Sequence, residues 1–566
     1  MTSNENERIQ RFYVGEIPLV LSVARQLGFQ RLFGSAVRTH GNQNLDTSTL
    51  LLMLVCNIVC GRNPLYELEG WVGKMDARMF GQDHAAWDVG LGDDVFGRAL
   101  DKLYEADRAS LMTAIVLETV RAVNLDLSRI HNDSTTVKAF GAYPGRTHGG
   151  FFLARGHSKD HRPDLKQLVF SLSISADGAV PVHFKTYPGN RTDDTTHIET
   201  WNTLCSIVGH PKFLYVADCK VCTQKQLSAI TGSGGRVVTI MPETWGECAK
   251  FKKQLRTGVK PKRKREIWRR LVPGTEEQFE VFSLYSGKQC AGKGQYPVYW
   301  IHSSEKQKRD RLKREHTLQC TERELALLVG KINTRNLKTE RQIQTRVDRI
   351  LEDRGVDEFY HIQIGTTTEL HRSQKGKGRP GPKTEYVTTR KQVYTLAWAR
   401  NTRALTMARR TDGIFPLLCT DSSVKPKDVL CAYKYQPNIE KKFTQFKHVH
   451  NAAPLLCKKL ERVEALMLLY FVALIVQSVI ERQVRLHMKT NRIESVPLYP
   501  EGRIACHPTT ARVFDRFDGV SVYHRKQGRK IIRQYRDKLT SLQKQLLGML
   551  DMTHREYWPP RAELDK

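Results

Sequence analysis

The sequence predicts an α/β fold in which a mixed sheet is interrupted by a long insertion and flanked by helical regions. Three observations predict it. Residues 126–242 alternate between strand-like and helix-like segments, residues 243–430 turn strongly basic, and both ends of the chain show helical periodicity. Strands and helices mixed in this way pack as a sheet with helices on its faces.

The composition excludes a chain that is disordered throughout and indicates a polyanionic partner. Of 566 residues, 40% are hydrophobic, which is ample for a core. Lys plus Arg number 90 against 59 Asp plus Glu, a formal net charge of +31. Such an excess favours nucleic acid as the partner.

Two further features bear on location and redox state. The longest apolar stretch, residues 465–480, is shorter than the ~20 residues of a membrane span, so it predicts a buried helix and no membrane. The first residues lack a signal-peptide pattern, so we expect a cytoplasmic protein with its 12 cysteines reduced. Cys219 and Cys222 have zinc-like spacing, but no second such pair follows.

Residues 1–125 predict a helical N-terminal domain. Apolar residues recur at three- and four-residue intervals in the segments 17–27, 49–60 and 111–123. The pattern fits a domain that binds DNA ends and equally fits one that serves packing or dimerisation.

Residues 126–242 predict three strands followed by helix, strand, helix and strand. Asp177–Gly178 is a strong hairpin signal between the second and third strands. The predicted strands are 125–132, 167–175, 180–187, 213–216 and 236–241, and the predicted helices are 195–208 and 223–231.

Residues 243–430 predict a basic, mixed insertion. Residues 250–270 hold eleven Lys or Arg against one Glu, a run that favours a counter-charged partner. The segments expected here are a strand pair at 280–285 and 298–302, a charged helix at 304–353, a basic Gly/Pro-rich loop at 373–383 and a strand at 392–400.

After residue 430 the chain predicts helices again. Segments 437–446 and 453–488 belong to a region spanning 431–490, and a basic amphipathic helix at 528–550 belongs to a C-terminal region spanning 491–566.

Three carboxylates stand where a site is expected. Asp133 follows the first predicted strand and Asp218 ends the fourth, at sheet edges where α/β proteins build sites. Taken alone, each is more often a turn or capping residue. Glu440 lies in a spaced set with Tyr433, Gln436 and Lys447.

The spacing of that set predicts a shared helix face. On a helix with about 100° per residue, Glu440 and Lys447 lie roughly 20° apart. Pro437 fits the first helical position, so Tyr433 and Gln436 are expected to precede the helix. A solvent-facing helix with scattered charges is the alternative.

These motifs resemble the DDE transposases of bacterial insertion sequences, in the superfamily with the Tyr–Arg–Glu–Lys signature. The motifs that carry the resemblance are IHNDSTTVKAFGAY with Asp133, the stretch from GHSKDHRPD to GNRTDDTTH, FLYVADCK with Asp218, the signature with Tyr433, Glu440 and Lys447, and the later segments VEALMLLYFVALIVQSVIERQVR and LYPEGR. The resemblance covers most of the chain. One departure is Gln436, where the family has Arg. An amide has no charge and cannot bind a phosphate through the bidentate hydrogen bonds of a guanidinium, so the contact with DNA is in question at this position.

The resemblance implies an RNase H-like catalytic core, formed by 126–242 and 431–490 and split by the insertion. It implies that Asp133, Asp218 and Glu440 are catalytic and bind two Mg²⁺ ions, for which Mn²⁺ can substitute. Tyr433, Gln436 and Lys447 would contact DNA. The expected reaction is endonuclease cleavage at the terminal inverted repeats of the element, followed by strand transfer to target DNA, by a homodimer at work in a bacterial cytoplasm.

Several alternatives stay open. An RNase H-like nuclease without strand transfer would share the carboxylates, and a repurposed, non-catalytic DNA-binding protein would suit Gln436. A zinc site at His157, Asp160, His161 and Asp164 is conceivable, as is a ligand role for Asp193 or Asp194. Trp245, Trp268, Trp300 and Trp398 are candidates for stacking on a base and equally for the core.

Overall fold

A computed structural model describes most of the chain and divides it into two compact units. The described residues are 7–37, 45–82, 87, 90–156, 162, 164–191, 196–258, 263–272, 274–275, 277–287, 289–334, 336–452, 455, 457–527 and 530–561. The larger unit joins 1–239 to 430–566, and the smaller unit spans 240–429. The predicted insertion, 243–430, has nearly the same bounds as the smaller unit.

The first part of the larger unit holds the predicted N-terminal helices and the sheet that bears the carboxylates. Its helices are α1 (Ile17–Gln26), α2 (Phe29–Ala36), α3 (Thr47–Cys56), α4 (Leu68–Val72), α5 (Asp93–Glu105), α6 (Arg108–Ala122), α7 (His197–Val208) and α8 (Gln224–Gly232). Its strands are β1 (Glu7–Tyr13), β2 (Arg129–Ala139), β3 (Lys166–Ser175), β4 (Pro181–Pro188), β5 (Leu214–Val216) and β6 (Arg236–Ile240).

The sheet of this unit is mixed, as predicted. Its strand order is β4, β3, β2, β5, β6. Strands β2, β3 and β4 pair antiparallel through the hairpin, while β5 lies parallel to both β2 and β6. Long antiparallel strands therefore form one side of the sheet and short parallel ones the other.

Strand β2 differs from its prediction, because Asp133 lies inside the strand and does not follow it. The chain still turns before Arg129, where the N–H of Ser128 donates to Oδ1 of Asp126 (2.8 Å). Polar residues then continue the strand, since the buried amide of Asn132 donates to the carbonyl of Leu172 (3.0 Å) and to the hydroxyl of Ser173 (3.0 Å).

The smaller unit is a mixed β/α region. Its strands are β7 (Lys264–Leu271), β8 (Phe279–Tyr285), β9 (Cys290–Ala291), β10 (Tyr296–Ser303), β11 (Tyr360–Gln374), β12 (Tyr386–Arg400) and β13 (Ile414–Cys419). Its helices are α9 (Gly246–Thr257), α10 (Ser304–Val329), α11 (Glu340–Arg354) and α12 (Thr402–Arg409). The predicted strand pair is present as β8 and β10, which run antiparallel.

The charged helix predicted at 304–353 is two helices. Helix α10 ends before Gly330, and Thr339 caps α11 by accepting a hydrogen bond from the N–H of Gln342 (3.3 Å). Strands β11 and β12 form a two-stranded ribbon, paired from Tyr360 with Arg400 to Gln374 with Tyr386. The predicted basic loop is the tip of this ribbon.

The last part of the chain completes the larger unit. Its elements are α13 (Pro426–Lys434), α14 (Pro437–Thr444), α15 (Leu460–Thr490), α16 (Thr510–Phe514), β14 (Ser521–Gln527), β15 (Lys530–Arg536), α17 (Ser541–Met549) and α18 (His554–Tyr557). Among the described residues, α15 is long and apolar enough to cross a membrane by itself, and Thr47–Gly61 with Leu65–Val72 passes the same test only as a bent pair. The most apolar window of α15 is 89% buried within the protein, as in a core helix.

The helix predicted at 528–550 is wrong over its first half, and the terminal regions are not purely helical. Residues 530–536 form strand β15, which pairs with β14, and β14 pairs with β1 from the start of the chain. Helical periodicity in this short basic segment was outweighed by backbone pairing with the preceding strand, β14.

Candidate functional site

Asp133 lies within β2, and Asp218 lies two residues beyond the end of the neighbouring parallel strand β5. Strands β2 and β5 pair His131 with Val216, and each carboxylate is two residues further along its chain. Both carboxylates line one narrow crevice, together with Asn132, Ser134, Ser171, Thr196 and His197.

Local hydrogen bonds orient both carboxylates. Oδ1 of Asp133 accepts from the N–H of Ser134 (2.7 Å), and Oδ1 of Asp218 accepts from the N–H of Lys220 (3.0 Å). The Asp218 carbonyl also accepts from the hydroxyl of Thr239 on β6 (2.7 Å). The Asp218 side chain is 40% exposed, so its orientation leaves it open to solvent.

His197 is a site residue that the sequence analysis did not select. Its Nε2 lies 3.9 Å from Oδ1 of Asp218, and its Nδ1 lies 2.9 Å from the Tyr215 hydroxyl. Burial, followed by the charges of Tyr187, Asp218 and Asp133, holds the pKa of Tyr215 far above its usual range. The signal available in the sequence was an imidazole at the start of a predicted helix.

Glu440 is exposed on α14. Burial raises the pKa of Tyr433 to about 12, and the acidic groups of Cys219, Asp218 and Glu440 raise it further. The phenol therefore stays protonated near neutral pH and can donate a hydrogen bond. Tyr433 lies in helix α13, and α14 begins at Pro437, so Tyr433 and Gln436 precede the helix that carries Glu440, as expected.

The three carboxylates are not gathered into one ligand set. Across the ranges that the structure describes, no three His, Cys, Asp or Glu side chains are close enough to hold a metal ion. The donors are of the right kind for a hard cation, since they are carboxylate oxygens. Asp133 and Asp218 line one crevice, so they could bind such an ion together. Glu440 offers the same kind of oxygen donor but does not line that crevice.

Gln436 points toward the strand that carries Asp133. Its Nε2 donates to the carbonyl of Asn132 (3.2 Å), and its Oε1 accepts from Nδ1 of His131 (3.2 Å). Burial lowers the pKa of His131 to about 4, so the imidazole is neutral at physiological pH. The family that this chain resembles has Arg at this position. Here the Gln436 side chain instead joins the start of α14 to β2 through hydrogen bonds.

Lys447 does not share a face with Glu440. Helix α14 ends at Thr444 and continues as a π-helical turn, Gln445–Val449, whose wider winding shifts the face presented by later residues. Lys447 is 8% exposed, whereas Glu440 faces solvent. The expected 20° alignment assumed regular α-helix throughout and is wrong.

A buried ion pair anchors α14 to the core helix. Nζ of Lys442 lies 3.6 Å from Oε2 of Glu481 on α15, and Nε2 of Gln445 donates to Oε1 of the same carboxylate (3.3 Å). Burial lowers the pKa of Lys442. The helix that carries Glu440 is thus held by Gln436 at its start and by Lys442 and Gln445 farther along.

Other candidates fall away from the site or outside the described residues. His157, Asp160, His161, Asp193 and Asp194 lie outside the described residues. Asp164 pairs with Arg162 (2.7 Å).

The tryptophans of the insertion serve packing where their contacts are defined. Trp300 stacks on Phe251 with ring centroids 3.9 Å apart, and Trp268 stacks on Phe282 at 5.1 Å. Trp300 is 3% exposed, so it belongs to the core of the smaller unit.

Comparisons with known proteins find one matching family model and similar solved structures. A family described as "Domain of unknown function (DUF4277)" matches residues 9–117, less than half of the chain. No curated protein matches. A solved structure described as "Cryo-EM structure of piggyBac transposase synaptic complex with hairpin DNA (SNHP)" is similar at 11% identity and a TM-score of 0.28, covering 85% of this chain and 83% of that chain.

A TM-score of 0.28 by itself establishes neither a shared fold nor a shared activity. Neither match shows the family of this chain, and the resemblance to the bacterial insertion-sequence transposases stays a prediction.

Proposed function

We propose that this protein is a DNA transposase of the DDE type with an RNase H-like core. The observation that carries the proposal is that Asp133 on β2 and Asp218 beyond the end of the parallel strand β5 line one crevice, in a chain whose motifs follow the order of that family. The formal net charge of +31 supports DNA as the partner.

In this proposal Asp133, Asp218 and Glu440 hold two Mg²⁺ ions, or Mn²⁺ in their place. When bound, such ions activate a nucleophile and stabilise the leaving oxygen of a phosphodiester. In this proposal the protonated phenol of Tyr433 contacts a DNA phosphate. Gln436 acts by positioning α14 against β2, while the burial of Lys447 argues against a direct contact with DNA.

The substrates in this proposal are the terminal inverted repeats of a mobile element and then target DNA. Two ends must be processed together, so the working form is a homodimer, and the location is the cytoplasm with its nucleoid.

The test is an excision assay on a donor plasmid that carries the native flanking DNA, in Mg²⁺. Wild type is compared with Asp218→Asn and with Asp353→Asn, whose side chain is 71% exposed on α11. We expect excised or joined product from wild type and Asp353→Asn, and a loss of at least about 10³-fold from Asp218→Asn. Equal urea denaturation midpoints for wild type and Asp218→Asn would show that the lost activity does not come from unfolding.

The same assay separates the competing functions. Nicked plasmid without joined strands would support a nuclease lacking strand transfer. End binding without any product, equal in wild type and Asp218→Asn, would overturn the proposal and favour a non-catalytic DNA-binding protein. The inward direction of Gln436 is the observation that favours this second candidate.

A further inference from the structure

The larger unit contains a large cavity that is lined by residues from the first and last parts of the chain. It shares no lining residue with the carboxylate crevice. Its volume is about 1190 Å³. One wall comes from α1, α2 and the turn Ala77–Phe80, and the other from β15 and residues 555–561. Six arginines line it: Arg25, Arg31, Arg78, Arg536, Arg555 and Arg561.

The positive charge of this arginine cavity is only partly neutralised, by ion pairs of Arg31 with Glu118 (3.4 Å) and of Arg78 with Asp76. Glu556 is the one acidic residue among the described lining residues. Within the described part of the chain, Arg536, Arg555 and Arg561 have no carboxylate at ion-pair distance. Burial lowers the pKa of Arg536, and the charges of Arg561 and Arg78 lower it further, which shows like charges crowded together.

Arg78 is fixed in the cavity wall with donor capacity to spare. Its Nε donates to Oδ1 of the fully buried Asp76 (2.9 Å), and a second nitrogen contacts His524 (2.8 Å). Its Nη1 is buried and has no hydrogen-bond partner among the described residues. A buried guanidinium N–H without an acceptor is costly, and an anionic ligand would satisfy it.

We propose that the arginine cavity binds the phosphates of a single-stranded nucleic-acid segment; as a DNA site it rests on the proposed function. Guanidinium groups grip phosphate oxygens through planar, bidentate hydrogen bonds. Six guanidinium groups around one cavity suit a nucleic-acid strand, which carries one negative phosphate for each nucleotide.

The shape favours a single strand over a duplex. A duplex is stiff and presents its phosphates on a convex surface, whereas a single strand bends into a concave, basic site. The cavity exceeds the range of about 300–1,000 Å³ that is typical of small-molecule sites, so it can hold several linked phosphates.

The test measures binding of the full-length protein to a labelled single-stranded oligonucleotide of about 12 nucleotides, a length in the range of single-strand sites. The variant is Arg555→Gln with Arg561→Gln, two exposed residues at the cavity. The control is Arg8→Gln, exposed on β1 and outside the cavity. Binding is followed from about 50 to 200 mM salt.

We expect the double variant to lose at least about tenfold in affinity, and the control to match wild type. The slope of log affinity against log salt should fall in magnitude by about 1.4, or about 0.7 for each lost single-strand contact. Wild-type affinity and slope in the double variant would overturn the proposal.

Competitors identify the ligand class. Duplex of the same sequence, polyglutamate and inorganic triphosphate should each compete more weakly than the single strand. Stronger competition by any of them would overturn the single-strand assignment in favour of a duplex, an acidic protein segment or a small anion. Binding needs no cleavage, so the two proposals can fail separately. If only the proposed function is wrong, the plasmid assay gives no product while the oligonucleotide still binds in the cavity. If only the cavity assignment is wrong, product forms but the double variant binds the oligonucleotide like wild type.

Discussion

The hairpin of the carboxylate sheet and the β11–β12 ribbon are both long antiparallel pairs, yet they differ in what covers them. Strand β3 is buried along nearly its whole length, while β12 is exposed over its first half. The ribbon is packed only near its base, where Tyr394 and Leu396 join a hydrophobic cluster. The same antiparallel backbone pairing therefore forms part of the core in the hairpin and an exposed, charged projection in the ribbon. The two differ in how far other elements cover their side chains.

The largest expected effect is the loss of a core contact in the first region. Phe170 on β3 is fully buried and stacks between Phe184 (5.5 Å) and Phe446 (4.4 Å). Phe170→Ala should lower the free energy of unfolding by about 3–5 kcal/mol, because it removes apolar contact and leaves a cavity. Leu370→Ala, at a residue 68% exposed on the ribbon, should change it by less than about 0.5 kcal/mol. Urea denaturation measures both, and equal losses would break the comparison.

An intermediate effect is expected at Gln436. Gln436→Ala leaves the carbonyl of Asn132 and the imidazole of His131 without their partner, which should cost about 1–3 kcal/mol. Gln483→Ala removes a bond to Gln26 at an exposed position (2.8 Å) and should cost less than about 0.5 kcal/mol. Denaturation midpoints give the ranking, and a neutral Gln436→Ala would contradict the positioning role.

The smallest effect on stability is expected at the ribbon tip. Replacing Lys377, Arg379 and Lys383 by Gln should leave the free energy of unfolding within about 0.5 kcal/mol, since all three are exposed. Binding to duplex DNA should weaken, with the salt slope falling by about 0.9 for each lost phosphate contact.

The matched control for the tip replaces three exposed lysines of the larger unit, Lys225, Lys458 and Lys489, by Gln. An equal fall in slope for both triples would show that the tip has no special share in DNA binding.

Most elements of the carboxylate sheet were predictable, because they follow local patterns. The hairpin turn at Asp177–Gly178 and the strand before Asp218 are both present. The end of β2 was misplaced because hydrophobic alternation does not register buried polar residues. Thr135 and Thr136 are 5% and 3% exposed, yet both belong to the strand, which continues to Ala139.

The geometry of the candidate site was harder to predict than the sheet that bears it. Local spacing cannot reveal a π-helical turn, so it misaligned Lys447 with Glu440. It also missed His197, whose relation to Asp218 depends on how a helix meets a strand end. Strand β15 escaped prediction for a similar reason, since its partner strand β14 is completed by β1 at the other end of the chain.

The pairing of β1 with β14 has a consequence for how the protein comes into being. Arg11 hydrogen-bonds to Gly519, 508 residues later in the sequence. At about 5–20 residues per second, a ribosome needs roughly half a minute to two minutes to make the chain between them. Strand β1 can therefore pair with β14 only after the smaller unit has been synthesised. The arginine cavity likewise forms only after Arg561 has joined the chain, because that residue and Arg25 line it together.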